Sequence, residues 1–260
     1  NSIGDELVEV GQSFSRYVLD GGKRLRPLFG YVGYLGSGKS INNSIVKAVS
    51  SLELIHVCAL IHDDLMDDSD TRRGASAIHK EFETKHRSKL MSGNPNQYGL
   101  SAAILLGDLA LVWSDKMLHT SGVDEKVLFE SLPIFDELRV ELMAGQFLDV
   151  HEQTNQTSSV ERSLKIARYK SGKYTIERPL HFGAALAGAS ELFKKYSDYG
   201  LPLGEAFQLR DDILGVFGES EITGKPSGDD LIEGKRTTLI AKTFEMAKAS
   251  EILLVSSVLG

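Results

Sequence analysis

The pattern of hydrophobic and polar positions predicts helices along most of the chain. One segment, VKAVSSLELIHVCALIHDD, carries apolar residues at every third or fourth position, namely Val46, Val49, Leu52, Ile55, Ala59 and Leu60. This spacing places them on one face of an α-helix. Towards its end the segment is apolar on nearly all sides, which indicates a central, buried helix.

The same periodicity recurs over residues 100–118, 133–150, 160–175, 179–190 and 202–216. The breaks between periodic segments are rich in turn-forming residues, as in SGKSINNS, SGNPNQYG, HEQTNQTSS and ESEITGKPSGDD. There is no series of alternating strands, no heptad repeat and no low-complexity tract. The pattern therefore predicts an all-α fold, with residues 1–260 forming a single domain of many helices.

Composition adds little to this picture. The chain has 260 residues, 42% of them hydrophobic, and a formal net charge of −7, which argues against nucleic acid as the main partner. Its one cysteine, Cys58, cannot form an intramolecular disulfide, which favours a reducing compartment. No signal peptide opens the chain, and no stretch approaches the roughly 20 apolar residues of a membrane span. We expect a cytoplasmic protein without stable membrane insertion.

An acidic stretch, HDDLMDDSDTRRG at residues 62–74, follows the apolar helix directly. Five of the eight positions from Asp63 to Asp70 are aspartates. In a helix, like charges four residues apart are unfavourable by roughly 0.2–0.5 kcal/mol per pair. The sequence therefore predicts that something positive binds there. A solvated acidic helix end is the alternative for such a run taken alone.

A second acidic element, FQLRDDILGVFG, places Asp211 and Asp212 at the end of another apolar helix. If the two helices face each other in a bundle, their carboxylates line one cavity. Oxygen ligands without accompanying histidine or cysteine pairs suit Mg²⁺, which usually shares its remaining positions with water and substrate phosphates. The predicted ligand is a phosphorylated molecule.

Basic residues agree with that prediction, because arginine forks match phosphate oxygens and lysines add point charge. They occur in GGKRLRP, directly after the first acidic run, and in GKP and EGKRT: Lys23, Arg24, Arg26, Arg72, Arg73, Lys225 and Lys235. They imply more than one phosphate group and leave open whether two diphosphates bind. GKPSGDD is not a P-loop, because the GxxxxGK[ST] spacing is absent.

Six segments together carry a family resemblance: GGKRLRP, HDDLMDDSDTRRG, YKSGKYT, GQFLD, FQLRDDILG and GKPSGDDLIEGKRT. Over about residues 17–240 the chain resembles the trans-isoprenyl diphosphate synthases, also called polyprenyl synthetases, and is similar to those that make geranylgeranyl diphosphate. The resemblance implies an isoprenoid synthase fold, a bundle of about ten or more helices around a central active-site cavity. It also implies a homodimer.

The implied reaction is the Mg²⁺-dependent 1'-4 trans condensation of an allylic diphosphate with isopentenyl diphosphate. Up to three Mg²⁺ ions would act, arriving partly with the allylic diphosphate. The resemblance assigns Mg²⁺ binding to Asp63, Asp67 and Asp211. Asp64, Asp68 and Asp70 are expected instead to shape the electric field of the site or to bind water.

The resemblance also assigns the substrate contacts. Isopentenyl diphosphate would be held by Lys23, Arg26, His56 and Arg73. The allylic diphosphate would be held by Arg72, Lys170, Lys225 and Lys235. Ser171, which stands where the family usually has threonine, would steady the developing allylic cation together with Lys170 and Gln208. From the residues alone, His56 and Gln208 could equally be hydrogen-bonded core residues, and Asp149 of GQFLD stays outside the metal set.

Two departures from the family pattern stand out. Gly215 occupies the place of a third aspartate in the second acidic motif, so that motif offers fewer ligands. The chain also ends at Gly260, earlier than relatives usually do, so we expect it to lack some terminal residues.

Product length is expected to depend on the residues just before the first acidic motif, which floor the tunnel for the growing chain in this family. Here they are Cys58 and Ala59, both small. A deep tunnel favours a C20 product, geranylgeranyl diphosphate, while C15 and longer products stay open.

Three other functions fit the sequence less well. An HD-type phosphohydrolase needs a distributed set of histidine and aspartate ligands and would not explain the repeated aspartates. A class I terpene cyclase needs a second metal motif of the NSE or DTE kind, which is absent. A non-catalytic subunit of a heteromeric prenyl synthase tends to have lost an acidic motif, whereas both are present here.

Overall fold

Helices dominate the structure, a computed structural model that describes residues 4–5, 7–19, 21–154, 159–219 and 227–259, with Asp229 described by its backbone only. The α-helices of the first half are α1 (Leu7–Leu19), α2 (Leu25–Leu35), α3 (Asn43–Met66), α4 (Ile78–Ser88) and α5 (Pro95–His119). Between α3 and α4 lies the hairpin of β1 (Thr71–Arg72) and β2 (Ala75–Ser76), in which Thr71 pairs with Ser76.

The second half is also helical. It contains α6 (Glu125–Gln153), α7 (Val160–Ala167), a π-helix (Arg168–Glu177), α8 (Arg178–Leu186), a 3₁₀ turn (Ser190–Leu192), α9 (Phe193–Phe217), α10 (Asp229–Ile232), α11 (Thr238–Met246) and α12 (Ala249–Ser256). The all-α prediction is confirmed.

Side chains at the helix starts explain several of these boundaries. The Asn94 side chain accepts a hydrogen bond from the Gln97 amide at 3.2 Å, directly before Pro95 at the first position of α5. Asp124 accepts from the Lys126 amide at 3.0 Å and so begins α6. The predicted starts at residues 133 and 202 are wrong, because Pro133 and Pro202 lie inside α6 and α9 rather than at their first turns.

The chain forms two compact units. The first consists of Asn1–Arg24 and Ser50–Gly122, and the second of Leu25–Val49 and Val123–Gly260. Whether the chain behaves as one domain stays a prediction.

The first unit has its own apolar core, where α3 packs with α1, α4 and α5. Its buried members include Phe14, Val57, Ile61, Phe82 and Leu106. Phe14 and Trp113 meet edge to face with ring centroids 4.7 Å apart, a favoured aromatic geometry.

In the second unit, α2 packs closely against α8 through glycines. A Cβ atom on Gly33 would lie within 2.9 Å of three backbone atoms of Leu180, and one on Gly183 would overlap the Gly30 carbonyl. Phe135 of α6 and Phe182 of α8 are fully buried, with ring centroids 5.3 Å apart. The absence of a side chain on these glycines therefore sets the distance between α2 and α8.

One helix of the described chain, Asn43–Met66, is long and apolar enough to cross a membrane by length and composition alone. The expectation that no stretch approaches that length is therefore wrong. Of its most apolar window, 61% is buried inside the protein. A core helix passes the same test, so this is weak evidence for a membrane span.

Candidate active site

The first acidic segment begins on the last turn of α3 and continues into the hairpin. Asp68 ends the helix with a left-handed backbone (φ 50°), and the Ser69 amide donates to the Asp64 carbonyl at 2.9 Å. The two hairpin turn residues, Arg73 (φ 54°) and Gly74 (φ 76°), both have positive φ, which matches the right-handed twist of paired strands. The turn brings Arg72 back beside the end of α3, where it contacts Asp63 and Asp64, and places Arg73 against Gly22.

Asp64 is an internal hydrogen-bond acceptor. Of the two tasks expected for it, shaping the electric field of the site or binding water, its burial speaks against the second. It is fully buried and accepts a hydrogen bond from the Tyr17 hydroxyl at 2.9 Å and one from Arg72 Nε at 2.6 Å. Burial raises the pKa of the Asp64 carboxyl, while Arg72 opposes the rise. No sequence motif links Tyr17 to the acidic segment, because Tyr17 lies 47 residues away from Asp64, on α1.

Basic side chains of the protein itself neutralise part of the negative charge of the acidic segment. Lys80 Nζ lies 2.9 Å from Asp68 and 3.2 Å from Asp70, and Arg72 also reaches Asp63 at 3.4 Å. Hydrogen bonding to Lys80 lowers the pKa of the Asp68 carboxyl. Asp63 and Asp67 are partly buried and lie one turn apart, since the Asp67 amide donates to the Asp63 carbonyl at 2.9 Å. That they bind a metal stays a prediction.

A second basic group lies in the same unit, where the segment GGKRLRP approaches Arg73. Lys23 is exposed, whereas Arg24 bonds to the buried Glu53 of α3. His56 lies three residues further along α3 and is partly buried. Glu53 was missed by sequence reasoning, since a single glutamate in an apolar helix carries no motif.

The proposed tunnel residues differ in exposure. Cys58 is 1% exposed and belongs to the core of the first unit, with Sγ 3.8 Å from His62 Nδ1. Burial raises the pKa of its thiol to about 11, so the thiol is inert at neutral pH. Ala59 is partly exposed, and of the two it is the one with a surface that a prenyl chain could contact.

In the second unit, Lys170 and Ser171 lie on the π-helix Arg168–Glu177, a rare conformation that often marks functional sites. Lys170 Nζ donates to the Asp149 carboxylate at 2.7 Å, so Asp149 of GQFLD holds this lysine. Ser171 is buried. A Cβ atom on Gly145 would lie 2.5 Å from the backbone nitrogen of Lys170. A glycine is therefore needed at the start of GQFLD, because any side chain there would collide with the π-helix.

Arg26 and the second acidic motif belong to the same unit. Arg26 Nη2 donates to Thr175 Oγ1 at 2.9 Å, and its guanidinium lies 4.3 Å from the centre of the Tyr174 ring. Gln208 Nε2 donates to Asp212 at 2.7 Å. Burial raises the pKa of Asp212 to about 6, whereas Asp211 is exposed at the helix surface.

The structure gives a reason for the glycine in the second motif. A Cβ atom on Gly215 would overlap the carboxylate of Asp230, which therefore occupies the space of the missing side chain. Lys235 is held by Glu233 at 2.5 Å and lies 3.7 Å from Asp230. Lys225 lies outside the described residues. That the two acidic motifs line one cavity stays a prediction.

The donor set fits Mg²⁺. Among the described residues, no three histidine, cysteine, aspartate or glutamate side chains converge to hold a metal ion. Mg²⁺ does not need such a cage, because it is commonly bound by one or two carboxylates together with water and substrate phosphates. Asp63, Asp67 and Asp211 offer oxygen ligands of this kind.

Comparison with known proteins assigns the family. The polyprenyl synthetase family model matches residues 8–260. The chain belongs to the polyprenyl synthetase family. It is therefore a prenyltransferase, and the family and enzyme class predicted from the six motifs are confirmed.

Individual relatives agree. The geranylfarnesyl diphosphate synthase of Aeropyrum pernix is 33% identical over 238 residues, which are 90% of this chain and 70% of the relative. The geranylgeranyl diphosphate synthase of Methanosarcina mazei is 31% identical over 248 residues, covering 93% of this chain and 71% of the relative.

Among solved structures, the geranylgeranyl pyrophosphate synthase of Corynebacterium glutamicum, crystallised with isoprenyl diphosphate and magnesium, superposes with a TM-score of 0.96. It is 41% identical, and the match covers 100% of this chain and 75% of that protein. The fold of this polyprenyl synthetase is therefore the one seen in that enzyme.

Proposed function

We propose that this polyprenyl synthetase condenses isopentenyl diphosphate with an allylic diphosphate, 1'-4 and trans, and releases geranylgeranyl diphosphate. The observation that carries the proposal is the end of α3, where Asp63 and Asp67 lie one turn apart and Arg72 of the hairpin is held beside Asp63 by its hydrogen bond to Asp64. Carboxylates that can bind Mg²⁺ next to a fixed arginine form a site for a diphosphate.

The reaction needs charge stabilisation more than a strong base. The C–O bond of the allylic diphosphate breaks, and its electron pair leaves with the diphosphate. The alkene of isopentenyl diphosphate then attacks the allylic cation, and a proton lost from the adduct passes to the released diphosphate. Asp63, Asp67 and Asp211 would hold Mg²⁺, up to three ions, which would supply positive charge to the leaving diphosphate.

Basic side chains supply the remaining charge. Arg72, Lys170, Lys225 and Lys235 hold the allylic diphosphate. Arg72 is fixed in place by Asp64, and Lys170 is fixed by Asp149. Such preorganisation lowers the barrier because no reorganisation is needed as charge develops.

Two neutral groups face the cation in this proposal. Ser171 is buried on the π-helix, and Gln208 is oriented by its hydrogen bond to Asp212. Because the Gln208 amide donates to Asp212, its carbonyl oxygen is left to stabilise positive charge. Water has to be excluded while the cation exists, because it would otherwise hydrolyse the cation.

Isopentenyl diphosphate is held by Lys23, Arg26, His56 and Arg73. The Arg26 guanidinium lies over the Tyr174 ring, and this cation–π contact helps to hold it in position. A partly buried His56 on α3 supplies a hydrogen bond to the second diphosphate.

The C20 product follows from the small residues before Asp63. Ala59 is partly exposed and leaves room for a chain that a larger side chain would block. Relatives named for C20 and C25 products are 31% and 33% identical, so products longer than C20 are the nearest alternative.

We further propose that the enzyme acts as a cytoplasmic homodimer. An exposed apolar stripe on α6, formed by Phe129, Val140, Met143 and Phe147, supports a second copy as partner. Phe129 and Phe147 are 75% and 70% exposed in the single chain, which is unfavourable in water.

The deciding experiment supplies purified protein with Mg²⁺, labelled isopentenyl diphosphate and allylic primers of five, ten and fifteen carbons. We expect elongation to a C20 diphosphate, sized by chromatography after dephosphorylation. Elongation ending at C15 or C25 would contradict the proposed product. No elongation from any primer would refute the proposed reaction.

A further inference from the structure

Arg24 in the segment GGKRLRP points into the protein although it stands next to the exposed Lys23. Its Nη1 atom donates to Glu53 Oε1, and its Nη2 atom donates to the Val18 carbonyl at 2.6 Å and to the Leu19 carbonyl at 3.2 Å. Three protein acceptors therefore engage this guanidinium. Neither Arg24 nor Glu53 has a part in the reaction proposed above.

The backbone of the same segment is unusual. Gly21 (φ 65°) and Gly22 (φ 87°) have positive φ, and so does Arg24 (φ 53°). A left-handed arginine is uncommon and persists only where contacts fix it. The three acceptors of the Arg24 guanidinium provide that restraint.

Two guanidinium groups flank one glycine of the segment. A Cβ atom on Gly22 would lie 2.8 Å from Arg73 Nη2 and 3.0 Å from Arg24 Nη1. Arg73 comes from the hairpin turn after the first acidic motif. The basic segment and the hairpin therefore meet at Gly22, where like charges must be balanced.

Glu53 supplies the balancing charge. It is 8% exposed, and its carboxylate attracts both Arg24 and Arg73. Burial lowers the pKa of Arg73, and the negative charge of Glu53 opposes that effect. In the part of the chain that the structure describes, Glu53 Oε2 is buried and accepts no hydrogen bond, so the carboxylate keeps unused acceptor capacity beside the two arginines.

We propose that Glu53 and Arg24 form a positioning pair for the diphosphate of isopentenyl diphosphate, an inference that rests on the function proposed above. Neither residue touches the substrate. The pair fixes the backbone of residues 21–24. Lys23, which is exposed, and Arg73, which is partly buried, can then act on the same diphosphate. Glu53 is thus a specificity element for this substrate, because the allylic diphosphate is assigned to other cations.

The test compares steady-state constants of wild type with Glu53→Gln and Arg24→Asn. Asparagine tolerates the left-handed backbone, so Arg24→Asn removes the guanidinium while retaining the local conformation. We expect each variant to raise KM for isopentenyl diphosphate about tenfold, the loss typical of one charge-assisted contact, with kcat and KM for the allylic diphosphate within about twofold of wild type.

Glu81→Gln is the matched control, because Glu81 forms a comparable contact with Arg16 in the same unit, away from the basic segment. It should leave both KM values unchanged. If Glu53 and Arg24 act as a pair, the double variant should be little worse than either single variant, since coupled residues are not additive.

An unchanged KM for isopentenyl diphosphate in a folded Glu53→Gln variant would overturn the inference. An equal rise in both KM values would also overturn it, since that result indicates a general structural role. If Glu53→Gln does not fold, Arg24→Lys gives the same readout and should raise only KM for isopentenyl diphosphate. A wild type without elongation activity would instead refute the proposed function.

Discussion

At the scale of single residues, the five aspartates at the end of α3 and just after it have different surroundings. Asp64 is buried between Tyr17 and Arg72, and Asp68 and Asp70 contact Lys80. These contacts compensate a repulsion of roughly 0.2–0.5 kcal/mol per like-charged pair. The metal-binding prediction is assigned to Asp63 and Asp67, which are partly buried.

Replacing Asp63 with alanine tests that assignment. Loss of one metal ligand should lower kcat by at least about 100-fold, because charge on the leaving group is no longer stabilised. Circular dichroism should show an unchanged helix content. Asp68→Ala is the control, since Asp68 is exposed and contacts Lys80, and its kcat should fall by less than about threefold. Near-normal turnover of Asp63→Ala would refute its metal role.

Ala59→Phe tests the proposed tunnel floor. A phenyl ring at this partly exposed position should block chain growth, so the main product should become shorter than C20, as measured by chromatography of dephosphorylated products. Ala249→Phe introduces the same side chain at an exposed position on α12 and should leave the product unchanged. An unaltered product from Ala59→Phe would place the floor elsewhere.

At the scale of elements, the π-helix Arg168–Glu177 is held by close packing and by a buried ionic cluster. Glycine contacts bring its backbone against α6 at Gly145 and against α9 at Gly204. Glu141 of α6 accepts hydrogen bonds from Arg178 at 2.6 and 2.7 Å and from Lys173. Lys170 and Ser171 are therefore carried on an element that is fixed from two sides.

Gly204→Ala tests the packing. An added Cβ atom would lie 2.5 Å from Gly172 Cα and 2.6 Å from its carbonyl oxygen, both backbone atoms that cannot move alone. We expect the free energy of unfolding in urea to fall by about 2 kcal/mol, as for overpacked cores. In the control Gly11→Ala, nothing lies within 4 Å of the new Cβ atom, and helix propensity should stabilise α1 by about 0.5–1 kcal/mol. Equal effects of the two substitutions would contradict this packing.

Glu141→Gln tests the ionic cluster through pH. Burial raises the pKa of the Glu141 carboxyl, but hydrogen bonds from Arg178 and Lys173 outweigh burial and lower the pKa below its usual 4.5. A lowered folded-state pKa stabilises the fold above pH 4.5, and that contribution is lost as the pH falls through the folded-state pKa.

The variant should therefore unfold more easily than wild type at pH 7 by about 3 kcal/mol, the loss expected when one member of a buried pair is removed. The difference should shrink when urea unfolding is repeated below pH 4.5. Glu130→Gln, in an exposed contact with Lys126, should show little difference at either pH. A difference that does not depend on pH would refute the ionic contribution.

At the scale of the whole molecule, the family match over residues 8–260 spans both compact units. Each unit contributes one acidic motif and its own basic residues, with Asp63 and Arg73 in the first and Asp211 and Lys170 in the second. The residues assigned to the proposed reaction are therefore divided between the two units.

The proposed homodimer is tested by light scattering after gel filtration. We expect a mass twice that of the single chain, because association covers the apolar stripe on α6. Phe147→Asp should shift the protein towards monomer, since a buried charge without a partner is unfavourable. Leu254→Asp, at an exposed position on α12, should leave the mass unchanged. A monomeric wild type would refute the dimer.

The sequence alone determined the helical class and the family, and it supplied the charged residues of the proposed site, because helix periodicity and motif chemistry are local properties. Tertiary structure decided which charges are neutralised within the protein. Tyr17 bonds Asp64, Glu53 holds Arg24, and Asp230 occupies the space beside Gly215. These pairs join residues that are 15 to 47 positions apart, and only the packing of helices brings their side chains into hydrogen-bonding or van der Waals distance.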